Sequence, residues 1–331
     1  MKAKAPGKLV LSGAYSVLRG APAIVTAVDR FVTADSDRPA TFFAPEVTAA
    51  LEYLKETPPA FPGSTQVAWQ APWYDAGPLR DGDPSTGRKL GLGSSAAIVA
   101  ASLGATLGAH FEPAIPTSKL RDLIHPIARV AHRQAQGGGS GIDVAAAVYG
   151  GTLAAQILPS EEGNQLKTQT LALPENLVFE VWAMPSSAST KDFVRAVFEL
   201  EKTSPLSFRK YFEAQAEASE KAAKAILPME NQQEPDAQSA RLFIQSLQEQ
   251  LHALTHLGAA AGVPIVLDDV LEMNAELPSD ACFLPSGAGG GDITIYLGPE
   301  ATDSQFREKA TSKNLQLIPL QLNAAGLQLE P

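Results

Sequence analysis

The residues best suited to chemistry lie in one glycine-rich turn, Leu90–Ala97 (LGLGSSAA). Gly91 and Gly93 lack a Cβ atom, so the backbone can turn tightly and approach a ligand closely. Ser94 and Ser95 place hydroxyl groups where a helix would begin. A helix N-terminus offers unpaired N–H groups and the positive end of the helix dipole, so this stretch fits a phosphate-binding loop. A strand-to-helix turn with two serine caps explains the same residues equally well.

Two isolated charges suit such a loop. Asp143 is the only charged residue between Arg133 and Glu161, and small apolar residues and glycines surround it in the sequence. A carboxylate in such a setting is costly unless it is paired or used in chemistry. The structural alternative is that Asp143 caps a helix. Lys8 directly precedes an apolar run, a position where most lysines are simply solvated.

Glycine-rich loops occur at 91–95, 137–141 and 287–292, and each borders a predicted regular element. None of them fits the pattern G-x-x-x-x-G-K-[ST], and no G-x-G-x-x-G lies in a convincing strand–helix setting. Together with Lys8 and Asp143, the loops predict a polyphosphate site of another class.

The composition narrows the class of protein. The chain has 331 residues, 45% hydrophobic and 19% charged, as in an ordinary globular protein. A net charge of −10 argues against general nucleic-acid binding but allows small anionic substrates. The single cysteine, Cys282, excludes an intramolecular disulfide and a cysteine-based zinc cluster, and we expect it to be buried. No run of 18 apolar residues and no signal-like N-terminal segment occurs, so we expect a cytoplasmic protein without a membrane partner.

The elements that must position these residues follow from apolar periodicity and turn signals. Residues 3–34 are predicted to be rich in β-structure, and 35–90 to be irregular with one short helix at Val47–Lys55. Pro126 is expected to kink or divide its helix. The last glycine loop is expected to join two strands or open a hairpin. The other predicted helices are Ser95–His110, Ser118–Gln136, Lys191–Lys202, Phe208–Leu227, Asp236–Ala261 and Ser304–Asn314. The other predicted strands are Leu153–Leu158, Leu177–Met184, Ala281–Leu284, Ile293–Leu297 and Leu315–Leu322.

Three stretches carry a family resemblance: Ala5–Lys8 (APGK), Gly91–Ala97 (GLGSSAA) and Pro285–Asp292 (PSGAGGGD). In this order they resemble the three motifs of the GHMP kinase superfamily, and they span nearly the whole chain. The resemblance implies an α+β fold, with an N-terminal lobe like domain 2 of ribosomal protein S5 and a ferredoxin-like C-terminal lobe. We expect an ATP-binding domain at 1–175 and a C-terminal domain at 176–331. ATP and Mg²⁺ are the implied cofactors, with ATP in the cleft.

Within the superfamily, the finer resemblance is to the phosphomevalonate kinases. It rests on Lys8–Leu18, on Ala135–Gly150 and on Ser187–Lys191. It implies ATP-dependent phosphorylation of phosphomevalonate to diphosphomevalonate, a step in the mevalonate route to isoprenoids. The alternatives are a mevalonate kinase, another GHMP small-molecule kinase, or a GHMP-fold binding protein without catalysis. The expected partners are ATP and a small phosphorylated acceptor, and the chain is expected to act as a monomer or homodimer.

The resemblance also assigns residues to roles. Asp143 would orient the acceptor, Lys8 would pair with Asp143 and offset phosphoryl charge, and Ser95 would bind Mg²⁺. The expected ATP-binding residues are Gly91, Leu92, Gly93, Ser94, Ser95 and Ala96. The expected substrate-binding residues are Ser140, Gly141, Ser189, Thr190, Lys191, Arg195, Gly287, Ala288 and Gly289.

One departure from the superfamily concerns the metal. In mevalonate kinases, a glutamate upstream of the aspartate helps to hold Mg²⁺. The corresponding position here falls near His132, and no acidic residue lies between Asp122 and Asp143. We therefore expect Mg²⁺ to depend on Ser95, ATP and water, which weakens a mevalonate kinase assignment more than a phosphomevalonate kinase one.

Overall fold

The computed structural model describes residues 1–59, 68–80, 90–111, 116–159, 164–187, 189–228 and 235–330. The chain divides into two compact units. Unit 1 contains Met1–Lys8, Thr26–Gly151 and Leu322–Pro331, and unit 2 contains Leu9–Val25 and Thr152–Gln321. The expected domain boundary after residue 175 stays a prediction.

Unit 1 combines a layer of helices with short strand pairings. Its antiparallel pairings bring Lys2 opposite Glu330 and Thr33 opposite Asp75. Strands β1 and β2 begin and end in different units. The elements with residues in unit 1 are β1 (Lys2–Ser12), β2 (Ala23–Pro39), α1 (Pro45–Glu56), β3 (Pro72–Asp75), α2 (Ser94–Phe111), α3 (Thr117–Gln136), α4 (Ile142–Tyr149) and β10 (Gln328–Glu330).

Helix α2 is the buried centre of unit 1. Alanine, the best helix former, dominates its sequence, and its small side chains let neighbouring elements pack closely. By length and hydropathy α2 could cross a membrane, but 78% of it is buried inside the protein, as in the core helix of a globular domain. Its packing in the core therefore accounts for its apolar character.

Helix α3 runs without interruption from Thr117 to Gln136, with Pro126 inside it, so the division at Pro126 that the sequence allowed does not occur. It ends at Gly137, which has a left-handed φ of 70° and donates its N–H to the last-turn carbonyls. The apolar face of α3 carries two buried histidines, His125 and His132.

Unit 2 contains the longer amphipathic helices. The apolar stripe of α7 is fully in the core, since Phe243 and Leu247 have no exposed surface. Strands β7 and β8 pair antiparallel on either side of the 287–292 loop, so the predicted hairpin is confirmed. The remaining elements are β4 (Thr152–Leu158), β5 (Gln165–Leu171), β6 (Val178–Ala183), α5 (Thr190–Thr203), α6 (Pro205–Ala225), α7 (Ala237–Ala261), α8 (Asp268–Ala275), β7 (Cys282–Pro285), β8 (Ile293–Gly298), α9 (Ser304–Ser312) and β9 (Gln316–Ile318).

The described strands form two sheets. The order in the first is β10-β1-β2-β4-β5, with β3 paired to β2, and the order in the second is β7-β8-β6-β9. Cys282 in β7 is buried, as expected, and its burial raises the pKa of the thiol to about 12.

Candidate active site

The Gly91–Gly93 turn is held in place by Lys8. The Lys8 backbone N–H donates to the carbonyl of Leu92 at 2.8 Å, and Lys8 Nζ donates to the carbonyl of Gly91 at 3.1 Å. Gly93 has a φ of 75°, and a Cβ atom there would lie 2.8 Å from Lys8 Cγ. Glycine is therefore required at position 93 by both backbone conformation and space.

This turn leads directly into the N-terminus of α2. The first N–H groups of an α-helix have no partner inside the helix. The first turn of α2 also carries no acidic side chain that would occupy them. Ser94 is buried and Ser95 is partly exposed at this end. The N-terminus of α2, with the Lys8 ammonium beside the turn, is thus arranged to receive an anion.

His132 brings two predicted site residues together. Its Nε2 atom lies 2.9 Å from Ser95 Oγ and 3.6 Å from Asp143 Oδ2. The three residues come from the first turn of α2, the last turns of α3 and the first turn of α4. His132 was not among the predicted site residues, although its place in the spacing had marked it as the position where an acid is missing.

Asp143 does not cap α4. The N-cap is Gly141, with a φ of 80°, and Asp143 lies inside the first turn, where its Oδ1 accepts the N–H of Val144 at 2.9 Å. Its other oxygen, Oδ2, faces His132. The capping alternative for this carboxylate is therefore wrong.

Lys8 and Asp143 do not form the expected direct pair in this structure. Among the ion pairs between described residues, Asp143 is matched with His132, while the Lys8 ammonium reaches the Gly91 carbonyl. Lys8 and Asp143 nevertheless belong to the same unit. The pairing stays a proposal for the protein with substrates bound.

The 137–141 loop combines an open part with a packed part. Cβ atoms added at Gly137, Gly138 and Gly139 would meet no heavy atom within 4 Å. At Gly141, by contrast, a Cβ atom would lie 2.9 Å from Cγ of Arg129. Burial, and then the neighbouring Arg133 charge, lowers the pKa of Arg129. The predicted residues Ser140 and Gly141 thus lie beside a second feature the sequence did not reveal, the Arg129 side chain.

The predicted substrate residues around 189 lie in unit 2 and have local roles of their own. Ser189 caps α5 by accepting the N–H of Asp192, and Arg195 pairs with the Asp192 carboxylate at 2.7 Å. Thr190 and Lys191 begin α5 and are exposed. Their assignment to substrate binding stays a prediction.

The third glycine loop is anchored within unit 2. The carbonyl of Ala288 accepts the hydroxyl of buried Tyr15 at 2.6 Å, and burial raises the pKa of that hydroxyl. A Cβ atom at Gly289 would lie 2.0 Å from the carbonyl oxygen of Ile265, so no larger residue fits there without rearrangement. At Gly287 the same atom would meet nothing within 4 Å. Of these two glycines, Gly287 is the one with open space at its Cβ position.

The oxygen atoms of Ser95 and Asp143 in unit 1 could supply some, but not all, of the ligands of a Mg²⁺ ion. Within the described residues, no group of three or more His, Cys, Asp or Glu side chains is arranged to hold a metal ion. Ser95 Oγ and the Asp143 carboxylate supply hard oxygen donors near one another, through their shared neighbour His132. Mg²⁺ characteristically keeps several waters and takes one or two carboxylates plus substrate phosphates. The site fits an ion that reaches the protein with a nucleotide.

Comparison with known proteins identifies one domain and the fold. Residues 84–151 match the model of the GHMP kinases N-terminal domain. A solved structure of the Lin0012 protein from Listeria innocua aligns with a TM-score of 0.75 at 22% identity, covering 99% of both chains. Residues 84–151 thus match one domain of the GHMP kinases, and the chain has the fold of solved GHMP kinases, which confirms the expected α+β fold.

Two further proteins similar to this chain are phosphomevalonate kinases. The phosphomevalonate kinase of Candida albicans is 24% identical over 257 residues, which cover 67% of this chain and 59% of that protein. The phosphomevalonate kinase of Streptococcus pneumoniae, solved with phosphomevalonate and AMPPNP, aligns with a TM-score of 0.70 at 16% identity, covering 97% of this chain and 99% of that one. The chain spans less than two thirds of the length of the curated relatives it matches.

Proposed function

We propose that this chain is a GHMP-type kinase that transfers the γ-phosphoryl group of ATP to phosphomevalonate, giving diphosphomevalonate and ADP. One observation carries the proposal: the Lys8-clamped glycine turn and the Ser95–His132–Asp143 cluster lie together at the N-terminus of α2 in unit 1. The names of the curated relatives support phosphomevalonate as the acceptor.

The proposed roles follow from the chemistry of phosphoryl transfer, which depends mainly on positioning and on neutralising charge. The N–H groups at the start of α2, from Ser94 to Ala96, would hold the ATP phosphates, with Gly91, Leu92 and Gly93 giving close approach. The Lys8 ammonium would offset charge on the transferred group. Mg²⁺, held by Ser95, would neutralise the phosphate oxygens.

Asp143 would orient the acceptor. In phosphomevalonate the attacking atom is a phosphate-monoester oxygen, which is largely ionised near neutral pH. The attacking oxygen forms the new P–O bond while the bond to the ADP oxygen breaks, so a strong base is not essential. Asp143 is partly exposed, with 22% of its side chain accessible, which suits a group that must touch a ligand.

The remaining predicted residues would bind the rest of the acceptor. Ser140 and Gly141 would do so from the loop before α4. From unit 2, the proposed contacts are Ser189, Thr190, Lys191, Arg195, Gly287, Ala288 and Gly289. We propose a cytoplasmic enzyme that acts as a monomer or homodimer.

The test compares Asp143→Asn and Lys8→Met with the parent protein, using ATP, Mg²⁺ and phosphomevalonate. Both variants should lose turnover by at least about 100-fold, because each removes a charge placed at the reacting groups. Asp269→Asn and Lys309→Met are matched controls, since these residues form ion pairs in unit 2 with Lys313 and Glu276. Near-parental turnover in both site variants would overturn the role assignment.

A panel of acceptors tests the substrate. Phosphomevalonate should be used with the highest kcat/KM, ahead of mevalonate, galactose and homoserine. A preference for mevalonate would replace the acceptor and keep the kinase. ATP binding without turnover on any acceptor would show a binding protein instead.

A further inference from the structure

We infer that His132 is a positioning residue, which orients the Ser95 hydroxyl and the Asp143 carboxylate through a single ring nitrogen. This inference rests on the proposed function and names a residue that the family motifs did not supply.

The first observation is the position of His132. Only 7% of the residue is exposed, and its Nε2 atom lies close to both groups, at 2.9 Å from Ser95 Oγ and 3.6 Å from Asp143 Oδ2. The 2.9 Å distance is that of a hydrogen bond, whereas 3.6 Å exceeds one and leaves an electrostatic attraction. Helix α3 thereby links the first turns of α2 and α4 at the site.

The second step concerns the hydrogen on Nε2. An ionised carboxylate only accepts hydrogen bonds. If Nε2 carried no hydrogen, its electron-rich lone pair would lie 3.6 Å from the negatively charged Asp143 Oδ2, which is repulsive. The carboxylate therefore selects a ring with hydrogen on Nε2, and this holds whether the imidazole carries one proton or two.

Hydrogen on Nε2 of His132 determines the orientation of the Ser95 hydroxyl. With hydrogen on Nε2, His132 donates to Ser95 Oγ and uses one acceptor position of the hydroxyl. The hydroxyl hydrogen must then point away from the ring, and one lone pair remains for a metal ion or another donor. His132 thus determines which way the Ser95 hydroxyl presents itself, while its proximity restrains the carboxylate of Asp143.

A second buried histidine on helix α3, His125, can be compared with His132. His125 is 8% exposed, close to His132, yet its Nε2 atom is buried with no hydrogen-bond partner among the described residues. A buried histidine in this helix can therefore leave its Nε2 atom without a hydrogen bond to the described residues. Those of His132 are specific to the site.

The test uses three variants. His132→Leu keeps a buried side chain but removes the donor, and His132→Gln keeps an N–H donor on a flexible chain. His125→Leu is the matched control on the same helix. We expect His132→Leu to lower kcat by about 10–100-fold, the usual cost of losing an outer-shell partner, with a much smaller change in the KM for phosphomevalonate. His132→Gln should recover most of kcat, and His125→Leu should keep it.

Two further measurements do not depend on turnover. Nitrogen-15 NMR of histidine-labelled protein should show the one-bond ¹⁵N–¹H coupling of His132 on Nε2, with the signal assigned by its loss in His132→Gln. Electron paramagnetic resonance titration of Mn²⁺ with AMPPNP should show weaker Mn²⁺ binding in His132→Leu by about 10-fold or more.

The outcomes separate this inference from the proposed function. Parental kcat in His132→Leu, or hydrogen found on Nδ1 alone, would overturn the role of His132 even if Asp143→Asn is inactive. If no acceptor is phosphorylated, the proposed function fails, and the NMR and Mn²⁺ measurements still decide the role of His132. If His132→Leu does not fold, His132→Gln and the parental NMR spectrum decide it.

Discussion

Helix α3 buries two histidines about two turns apart, and the side chains around these two histidines differ in polarity. At the C-terminal end, His132 contacts the polar groups of Ser95 and Asp143. In the N-terminal half, His125 packs against Tyr149, with 5.0 Å between the two ring centroids. The Nε2 atom of His125 has no hydrogen-bond partner among the described residues. The same residue type, equally buried on one helix, thus contacts polar side chains at one position and an aromatic ring at the other.

The largest loss of activity is expected from removing the contact partner of His132, near the C-terminal end of α3. Ser95→Ala removes the hydroxyl that His132 orients, and we expect kcat with ATP and phosphomevalonate to fall by about 100-fold or more. Ser102→Ala is the matched control, since Ser102 lies on the same helix, is 2% exposed, and has an Oγ without a partner among the described residues. Steady-state kinetics of both variants make the comparison. Equal kcat values in the two would place Ser95 outside the chemistry.

The next prediction is that His125, in the N-terminal half of α3, makes the free energy of unfolding depend on pH. Burial, reinforced by the Arg129 charge and opposed by Asp122, lowers the pKa of His125 from 6.5 to about 4. The folded state therefore resists protonation, so the stability that His125 contributes is present above pH 6.5 and is lost as the pH falls towards 4. The loss should reach at most about 3 kcal/mol. Urea unfolding at pH 7 and pH 4.5 should show a smaller pH dependence in His125→Leu than in the parent. An identical dependence in both would contradict the assignment.

The smallest effect lies near the beginning of α3. Arg121 donates from Nε and Nη2 to the carbonyl of Leu327 at 2.9 and 2.7 Å. Arg121→Met should lower the free energy of unfolding by about 1–2 kcal/mol, because a charge-assisted pair of hydrogen bonds is lost, and should leave kcat unchanged. Lys119→Met, at an exposed position on the same helix, should change stability by less than about 0.5 kcal/mol. A fall in kcat for Arg121→Met would mean that this half of the helix also supports the site.

Much of the fold was predictable from local patterns. Helix α7, with Phe243 and Leu247 on its buried face, shows clear apolar periodicity, and the glycine loop predicts the β7–β8 hairpin. Strand β5 was missed because Gln165–Leu171 is mostly polar and exposed, and β4 supplies the partner that makes it a strand. Helix α8 and strand β3 were missed because each is short. In these elements tertiary pairing outweighs local propensity.

The candidate site also has a part that the sequence predicts and a part that it does not. The 91–95 turn and Asp143 could be selected from the sequence, because glycine spacing and an isolated carboxylate are visible there. The contacts of His132 could not, since they join residues far apart in the chain. The motif spacing marks position 132 only as a place where an acidic residue is missing. What a histidine does there depends on the direction of its ring, which the sequence does not contain.

The segment of unit 1 that follows unit 2 in the sequence has a consequence for how the protein is made. Unit 1 includes Leu322–Pro331, whose backbone bonds run from Leu327 N–H to the Val148 carbonyl and from Gly151 N–H to the Ala324 carbonyl. These residues leave the ribosome after the whole of unit 2, although the candidate active site lies in segments made earlier. During translation, Val148 and Gly151 therefore lack these hydrogen-bond partners until Ala324 and Leu327 have been synthesised.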